Sequence, residues 1–337
     1  MCGIAGVIAG DGRVEHATLE AMRDALRPRG PDAAALWVAE DRRAGLAHRR
    51  LAIIDLSAAA DQPMISADGR HVLVFNGEIY NYRDLARELA AAGHAFRTSS
   101  DTEVLLAAYR HWGEDCVGRL EGMFAFAVWD TAARVLVLAR DRAGEKPLHY
   151  RARGGVLSFA SELKGLLAEP GAPRRLGAAA FDAYLAYGAV AHSGSMLVGY
   201  AKLPPGHLLR YDAEQDRLQV RPYWALPAGP PAAGDPEELA GRLEERLDAA
   251  VRRQLVADVP IGVLLSGGID SSLVTAMAAR HATAPVKTFN VSFRGHAGFD
   301  EAPHARLVAG HFGTEHHELV AEPAGVAVLP EVAACFD

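Results

Sequence analysis

A cysteine directly follows the initiator methionine, in the sequence Met1-Cys2-Gly3. Removal of Met1 would make Cys2 the N-terminal residue, with its thiol beside a free α-amino group. One residue would thus supply both a nucleophile and a base. Because an α-amino group titrates at about pH 8, a useful fraction of it can accept the thiol proton at neutral pH. The alternative is that Cys2 only begins the apolar strand that residues 3–8 predict.

Three polar blocks in the first hundred residues carry groups that suit such a thiol. Residues 29–32, Arg-Gly-Pro-Asp, predict a turn, since proline presets the backbone and aspartate bonds locally. Residues 48–55 open with basic side chains and continue as a half-buried strand, where an arginine can hold a carboxylate with its planar fork. Residues 72–82 predict a strand that enters a turn. There the Asn76 side-chain amide and the Gly77 N–H can stabilise an oxygen that gains negative charge.

Asp101 lies in the segment Ser99-Ser100-Asp101-Thr102-Glu103, directly before an apolar helical run. Two interpretations of its carboxylate are open. In the first, Asp101 is the N-cap of a helix that continues through Val104-Leu105-Leu106. In the second, its negative charge faces the ammonium group of a substrate.

A further polar block, Ser266-Gly267-Gly268-Ile269-Asp270-Ser271-Ser272, follows the apolar strand of residues 259–265. Its glycines let the backbone approach a ligand, and the next helix offers free N–H groups and the positive end of a dipole. The block therefore predicts an anion site rather than an ordinary glycine-rich connection. A carboxylate beside a polyphosphate requires a divalent cation, so Asp270 predicts Mg²⁺. No Gly-Lys-Ser/Thr follows the glycines, so this is not a Walker A motif.

The elements that must position these groups begin with strands and inserted helices. Apolar runs at 124–129 and 135–138 predict a hairpin, and the apolar spacing at 83–92 and 102–112 predicts helices. From about residue 170 the composition changes, and the sequence predicts a connector between two domains. This connector ends in the Pro/Gly/Ala-rich linker of residues 226–234.

A second group of elements follows the linker. Asp235 and Pro236 predict the N-cap and first residue of a helix. The subsequent order is strand 259–265, helix 270–281, strand 286–291, helix 301–312 and strand 315–320. Such alternation predicts a parallel, doubly wound sheet with its ligand at the carboxyl ends of the strands.

Composition limits the classes of protein that remain. The chain has 337 residues, which favours two domains, and 50% hydrophobic residues, enough for two cores. A net charge of −7 argues against nucleic acid and anionic membranes as partners. Three widely spaced cysteines suit reduced thiols in the cytoplasm. Neither a signal peptide nor a run of 18 apolar residues is present, so we expect neither secretion nor a membrane span.

Residues 2–165 resemble the glutaminase domain of class II glutamine amidotransferases, the Ntn-hydrolase type. The motifs that carry the resemblance are Cys-Gly-Ile, Arg-Gly-Pro-Asp, Arg-Leu-Ala-Ile-Ile-Asp, Phe-Asn-Gly-Glu-Ile-Tyr-Asn and Ser-Asp-Thr-Glu, in that order. The resemblance implies that Cys2 attacks the glutamine side-chain amide, with Asn76 and Gly77 as the oxyanion hole. It implies that Arg50 holds the α-carboxylate and Asp101 the α-amino group. The remaining wall of the glutamine pocket would be Leu51, Ala52, Ile53, Ile54 and Glu78.

The Ser266–Ser272 block is similar to the pyrophosphate-binding loop of ATP pyrophosphatases, which cleave ATP to AMP and pyrophosphate. Among these, the asparagine synthetases place a class II glutaminase domain at the N-terminus, and the whole chain resembles their B-type, glutamine-hydrolysing group. The resemblance implies that Leu265 and Val291 flank the adenine and ribose. The ATP-binding residues it implies are Leu265, Ser266, Gly267, Gly268, Asp270, Ser271, Ser272 and Val291, with Asp270 on Mg²⁺.

From the resemblance we expect an α+β Ntn-hydrolase domain of four layers (αββα) at 2–165, a connector at 166–235, and a partial α/β doubly wound domain at 236–337. The last is similar to adenine-nucleotide α-hydrolases. A later Ser-Gly-Glu-Gly-x-Asp-Glu segment and a catalytic lysine, expected for a whole synthetase domain, do not occur before Asp337. We therefore expect the chain to be truncated, or half of a split protein.

The expected function is glutamine-dependent amidation of an ATP-activated carboxylate, with aspartate as the default acceptor and asparagine as the product. Two alternatives remain open. The first is a tailoring amidotransferase that acts on a sugar acid, a lipid or a natural-product carboxylate. The second is a module that only hydrolyses glutamine or depends on a partner. A homodimer is also compatible with the sequence.

Overall fold

The computed structural model describes residues 1–190, 193–230, 233–293, 300–321 and 325–336. It divides into two compact units, which are Met1–Pro227 (unit 1) and Ala228–Phe336 (unit 2). The division falls inside the predicted linker, of which residues 231 and 232 lie outside the described residues. The first domain boundary expected from the sequence, after residue 165, lies well before this division.

Among the described residues, unit 1 contains two six-stranded antiparallel sheets. Their strands are β1 (Gly3–Ala9), β2 (Ala33–Val38), β3 (Ala44–Arg50), β4 (Met64–Ile65), β5 (His71–Ile79), β6 (Gly122–Asp130), β7 (Val135–Arg140), β8 (His149–Arg153), β9 (Val156–Ala160), β10 (Ala201–Lys202), β11 (His207–Asp212) and β12 (Arg217–Pro222). Sheet 1 has the order β10-β8-β9-β1-β3-β2, and sheet 2 has the order β12-β11-β7-β6-β5-β4. The predicted hairpin is β6–β7, with Asp130 opposite Val135.

Apolar side chains fill the space between the two sheets. Because successive residues of a strand point to opposite faces, Ile4 and Ile8 of β1 join this inner layer, whereas Val7 packs on the outer side. The buried inner layer consists of Ile4, Ile8, Ala44, Leu46, Val72, Val74, Ala125, Ala127, Trp129, Leu136, Leu138, Leu148, Leu157, Phe159, Leu203, Leu209 and Tyr211.

Helices cover the outer face of each sheet. The helices of unit 1 are α1 (His16–Ala25), α2 (Tyr82–Ala91), α3 (Asp101–Trp112), α4 (Leu163–Leu167) and α5 (Ala178–Tyr187). Leu19 and Met22 of α1 and Leu166 of α4 are fully buried in the cluster that contains the outer side chains of β1. On the other side, α3 packs against β5 and against α2. The four layers αββα expected from the sequence are confirmed.

The connector expected at 166–235 differs from the structure in its second half. Residues 201–222 supply β10 to sheet 1 and β11 and β12 to sheet 2. The physical reason is apolar burial, since Leu208 and Leu209 are fully buried and Tyr211 is 1% exposed, while β11 pairs with β7. These strands complete the two sheets of unit 1 rather than link two domains. Residues 191 and 192 lie outside the described part of this segment.

Unit 2 is built around a parallel sheet in the order β13-β14-β15. Its elements are α6 (Pro236–Gln254), β13 (Gly262–Leu264), α7 (Ile269–His281), β14 (Lys287–Ser292), α8 (Ala302–Phe312), β15 (Glu315–Val320) and α9 (Leu329–Phe336). The alternating order and the parallel sheet are as predicted. The Asp235 side chain accepts hydrogen bonds from the Glu237 and Glu238 N–H groups, which confirms it as an N-cap. The first strand is shorter than predicted, because Pro260 has no N–H for a ladder.

No helix in the described ranges is both long enough and apolar enough to cross a membrane.

Candidate active site

Cys2 lies directly before β1 and is held from two sides. The Leu51 N–H donates to its Sγ at 3.4 Å, and the Arg29 Nε–H donates to its carbonyl at 2.8 Å. Arg29 is in turn paired with Glu162 at 2.5 Å. Burial raises the pKa of the Cys2 thiol, and the Leu51 N–H partly opposes that shift. A base close to the sulfur would therefore be needed to form the thiolate at neutral pH.

A pocket opens beside Cys2 and brings together most of the glutamine-binding residues predicted from the sequence. Its lining residues are Cys2, Arg50, Leu51, Ile53, Ile54, Gln62, Phe75, Gly77, Glu78, Ser100, Asp101 and Thr102. Two predicted residues are not in the lining. The Ala52 N–H donates to the Asp32 carboxylate at 2.9 Å, which ties that residue to the 29–32 turn. Asn76 lies on β5 directly before Gly77.

Asn76 is the most unusual polar residue of this region. Its side chain is fully buried, and in the described structure neither its Nδ2 nor its Oδ1 has a hydrogen-bond partner. Buried amide groups without a partner are rare in native proteins. The Nδ2 atom is therefore available to an acceptor that the structure does not contain. At the adjacent Gly77 a side chain would meet the Met123 carbonyl oxygen at 2.2 Å, which explains the glycine.

Arg50 is 6% exposed and organises the loop that follows β3. Its Nη1 donates to the Ser57 carbonyl at 2.8 Å and to the Asp61 carboxylate at 2.7 Å. Its Nη2 donates to the carbonyls of Ile54 and Asp55. The guanidinium thus shapes the pocket wall as well as carrying its positive charge, so a bound carboxylate would have to share or replace some of these partners.

Asp101 is the first residue of α3, and the N-cap is Ser100, whose Oγ accepts the Thr102 N–H at 3.1 Å. The N-cap interpretation of Asp101 is therefore wrong. Its carboxylate instead accepts the Ile79 N–H at 3.0 Å, at the end of β5, and the residue is 4% exposed. The α3 N-terminus is thus joined to the strand that carries Asn76 and Gly77.

Glu78 and Asp101 form a desolvated pair of carboxyl groups in the pocket. Burial raises the pKa of Glu78 to about 8, and the neighbouring Asp101 charge adds to this shift. Burial also raises the pKa of Asp101 to about 6, against several hydrogen bonds that favour its charged form. The Glu78 Oε2 is buried and has no hydrogen-bond partner among the described residues. A cationic group placed between these carboxyls would offset both the desolvation of their charged forms and the repulsion between them.

Sequence reasoning missed four lining residues, namely Gln62, Phe75, Ser100 and Thr102. For Ser100 a signal existed, because Ser100-Asp-Thr-Glu103 fits the Ser-x-x-Glu capping box. The Glu103 carboxylate, however, accepts from the Arg97 and Thr98 N–H groups rather than from Ser100. Gln62 and Phe75 carry no local signal of a role in the pocket.

In unit 2, the Ser266–Ser272 block forms the turn between β13 and α7, as predicted. Gly267 has a φ of +83°, and a Cβ there would lie 2.6 Å from the Ala305 nitrogen. Gly268 is the N-cap of α7, and Ser266 and Ser271 bond through their hydroxyls at 3.0 Å. The turn thus presents the N–H groups of the first turn of α7, which suits a phosphate.

The other residues predicted for this site differ in accessibility. Val291 is 46% exposed, but Leu265 is only 1% exposed. The Leu265 N–H donates to the Phe289 carbonyl and its carbonyl accepts from the Asn290 amide, so both backbone groups have partners. Asp270 is exposed at the start of α7, and within the described ranges no group of three or more metal-ligating side chains surrounds it. Any Mg²⁺ at Asp270 would need its other ligands from a bound phosphate and water.

Two family models match the chain. Residues 1–224 match the glutamine amidotransferase domain, and residues 242–337 match asparagine synthase. The solved structure of the allosteric regulatory enzyme of purine biosynthesis shares the fold, with a TM-score of 0.50 and 15% identity over 95% of this chain and 80% of that chain. The chain therefore belongs to the glutamine amidotransferase family. Residues 242–337 carry a second match, to the asparagine synthase model, which agrees with the resemblance noted from the sequence.

Two curated relatives are similar to this chain over nearly all of its length. Asparagine synthetase (glutamine-hydrolyzing) 3 of Bacillus subtilis is 35% identical over 338 residues, which cover 95% of this chain and 54% of the relative. Putative asparagine synthetase (glutamine-hydrolyzing) 2 of Methanocaldococcus jannaschii is 34% identical over 336 residues, which cover 94% of this chain and 64% of the relative. The chain thus spans little more than half the length of the first relative.

The raised pKa values of the Glu78 and Asp101 carboxyl groups predict that the stability of unit 1 depends on pH. The pKa of Glu78 in the folded state, about 8, lies above its usual value of 4.5, so folding favours its protonated form. The stabilisation is fully present below about pH 4.5 and is lost as the pH rises towards 8. Glu78→Gln, which stays neutral, should therefore gain stability relative to wild type between pH 5 and pH 8. We expect a gain of at least about 1.4 kcal/mol, the equivalent of one pKa unit.

The measurement is urea unfolding at both pH values, followed by tryptophan fluorescence. All four tryptophans lie within Met1–Pro227, so the signal reports on unit 1. Glu88→Gln, at an exposed position of α2, controls for the loss of a surface carboxylate. A constant difference between Glu78→Gln and wild type across this pH range would contradict the prediction.

Proposed function

We propose that this chain hydrolyses glutamine to glutamate and ammonia, with Cys2 as the nucleophile. The observation that carries the proposal is one pocket in which a half-buried thiol, a buried arginine and two desolvated carboxyls converge. Glutamine carries a complement for each of them, namely an amide carbon, an α-carboxylate and an α-ammonium group. The match to the glutamine amidotransferase family model supports the same function.

In the proposed reaction, the α-amino group of a processed Cys2 takes the thiol proton and the sulfur attacks the side-chain amide carbon. The carbonyl oxygen then gains negative charge, and the Asn76 Nδ2 and the Gly77 N–H donate to it. The carbon–nitrogen bond breaks, the nitrogen takes the proton, and ammonia leaves. Water next attacks the Cys2 thioester, which releases glutamate and restores the thiol.

The α-ammonium and α-carboxylate groups of glutamine can each be matched to pocket residues of opposite charge. We propose that the α-ammonium group binds between Asp101 and Glu78, where it would stabilise the ionised carboxyls that burial disfavours. The α-carboxylate would face Arg50, the buried cation of the pocket lining.

For unit 2 we propose that the Ser266–Ser272 turn binds the phosphates of ATP, together with Mg²⁺ at Asp270. Support comes from the positive φ of Gly267, the position of Gly268 at the N-terminus of α7, and the asparagine synthase match over residues 242–337. ATP supplies the activation of a carboxylate, which ammonia then converts into an amide. The relatives are named asparagine synthetases, so we propose aspartate as the acceptor. We also propose that the protein works in the cytoplasm, where its three cysteines would stay reduced.

The central test is the replacement of the nucleophile. Cys2→Ala and Cys2→Ser should each reduce glutamate release from glutamine to background, because the oxyanion hole cannot act without the thiol. The mature wild-type chain should lack Met1 by intact-mass analysis. Cys335→Ala, an exposed cysteine of unit 2, is the matched control and should keep wild-type activity. Full activity in a chain that retains Met1 would refute the N-terminal mechanism.

The second test concerns the pocket arginine. Arg50→Lys should raise KM for glutamine by about 10- to 100-fold, since charge-assisted hydrogen bonds contribute about 1.5–3 kcal/mol and lysine cannot reproduce a planar fork. Arg49→Lys is the matched control, because Arg49 is paired with Asp24 instead and is absent from the pocket lining. KM for glutamine is measured from the steady-state kinetics of glutamate release by each variant. An unchanged KM in Arg50→Lys would assign that side chain to loop structure alone.

The third test concerns the turn in unit 2. Asp270→Asn should weaken ATP binding in the presence of Mg²⁺ by about tenfold or more, which corresponds to ~1.4 kcal/mol. The reason is the loss of a charged metal ligand. Calorimetric titration measures the affinity, and a titration without Mg²⁺ is the control, in which the variant should not bind more weakly than wild type. Glutamate release should be unaffected. Equal loss of affinity with and without Mg²⁺ would show that Asp270 does not act through the metal.

A further inference from the structure

Two buried side chains, His48 and Gln62, hold the backbone of Phe75, the residue directly before Asn76. We propose that they are positioning residues for the oxyanion hole, which fix the Asn76 amide relative to the Cys2 sulfur. This inference rests on the proposed glutaminase function and assigns to it two residues that contribute no atom to the reaction.

The Gln62 side chain bonds to β5 at a position that the short strand β4 does not reach. β4 pairs with β5 only at Met64–Leu73 and Ile65–Val72, and continuation of that register would put residue 62 opposite residue 75. At this position the Gln62 Oε1 accepts the Phe75 N–H at 2.6 Å. Its Nε2 donates to the Thr102 Oγ1 at 3.2 Å, and both side chains are at least 95% buried. The edge of β5 is thus bonded up to the residue that precedes Asn76.

His48 approaches the same residue from the other sheet. It lies on β3, is 1% exposed, and its Nε2 is 3.1 Å from the Phe75 carbonyl oxygen. A carbonyl can only accept, so this nitrogen carries the proton. Burial lowers the pKa of His48 to about 3, so the ring is neutral at physiological pH. The protonation of His48, and with it this bond, is therefore insensitive to pH near neutrality.

The bond between His48 and Phe75 spans the two halves of the site. β3 pairs with β1, with His48 opposite Ile4, so His48 is fixed close to the strand that begins directly after Cys2. Asn76 and Gly77 belong to β5 in the other sheet. Apolar packing between the sheets is not directional, whereas a hydrogen bond fixes distance and angle. This bond and that of Gln62 determine where the oxyanion donors lie with respect to the sulfur.

The test separates positioning from general stability. His48→Met and Gln62→Met remove the donor and the acceptor with little change in volume, and His48→Gln keeps a donor near the Nε2 position. The control is Ser66→Ala, because the 6% exposed Ser66 accepts the His71 N–H at the far end of the same strand. Each protein is studied as the full chain, and its folding is checked by tryptophan fluorescence.

Four measurements are made on each variant: kcat and KM for glutamine, affinity for the product glutamate, the rate of Cys2 alkylation by iodoacetamide, and affinity for a glutamine analogue with an aldehyde in place of the amide. The aldehyde forms a tetrahedral adduct with Cys2 whose oxygen occupies the oxyanion hole. Alkylation forms no oxyanion, and glutamate binding does not need one.

We expect His48→Met and Gln62→Met to lower kcat and the affinity for the aldehyde by about 10- to 100-fold, the range that misplacement of a catalytic group produces. Glutamate affinity and the alkylation rate should stay within about twofold of wild type. His48→Gln should recover most of kcat, and Ser66→Ala should keep the wild-type value. In an Asn76→Ala background the two methionine substitutions should have a smaller effect than in the wild-type background, because one of the two donors they position is gone.

Equal losses in all four measurements, or additive losses in the Asn76→Ala background, would overturn the proposal and assign both residues to fold stability. Wild-type kcat in both methionine variants would also overturn it. Failure of the wild-type chain to release glutamate or to bind the aldehyde would instead refute the underlying glutaminase function. The two failures are therefore distinguishable.

Discussion

The face-to-face packing of two antiparallel sheets is the constraint on which the site depends. The thiol precedes a strand of sheet 1, and the proposed oxyanion donors belong to a strand of sheet 2. Sheets that pack in this way lie about 10 Å apart, a separation set by the side chains between them. The buried layer of apolar side chains from Ile4 to Tyr211 therefore sets the coarse dimensions of the pocket. The hydrogen bonds that join His48 and Gln62 to Phe75, at the end of that layer, set the finer dimensions of the pocket.

The pocket holds polar groups whose hydrogen-bonding needs the fold does not meet. Asn76 has two buried atoms without a partner among the described residues, and Glu78 has one. Each such atom costs about 1–3 kcal/mol, which the apolar layers of unit 1 offset. Donors and acceptors kept ready in this way need no rearrangement when a ligand arrives, which is how preorganised sites stabilise developing charge. The same residues therefore lower the stability of the empty protein and, in the proposed function, favour the bound state.

The sequence predicts the parts of this structure that depend on local signals. Proline and aspartate at 235–236 mark the start of α6, and the β6–β7 hairpin follows from two apolar runs around a polar turn. Asn76 and Gly77 stand out because amide and glycine chemistry suits an oxyanion. Gln62 and His48 do not, because their roles depend on contacts with a residue 13 and 27 positions away. Strands β10 and β11 escaped prediction for the same reason, since their partners β8 and β7 lie far along the chain.

The position of β1 inside sheet 1 has a consequence for biosynthesis. β1 pairs on one side with β3 and on the other with β9, where Ala5 lies opposite Ala160. At about 5–20 residues per second, a ribosome needs on the order of ten to thirty seconds to reach that partner. β1 is therefore synthesised well before its pairing in sheet 1 is complete. During that interval the thiol at its start is open to solvent, to oxidants and to the enzymes that process new N-termini.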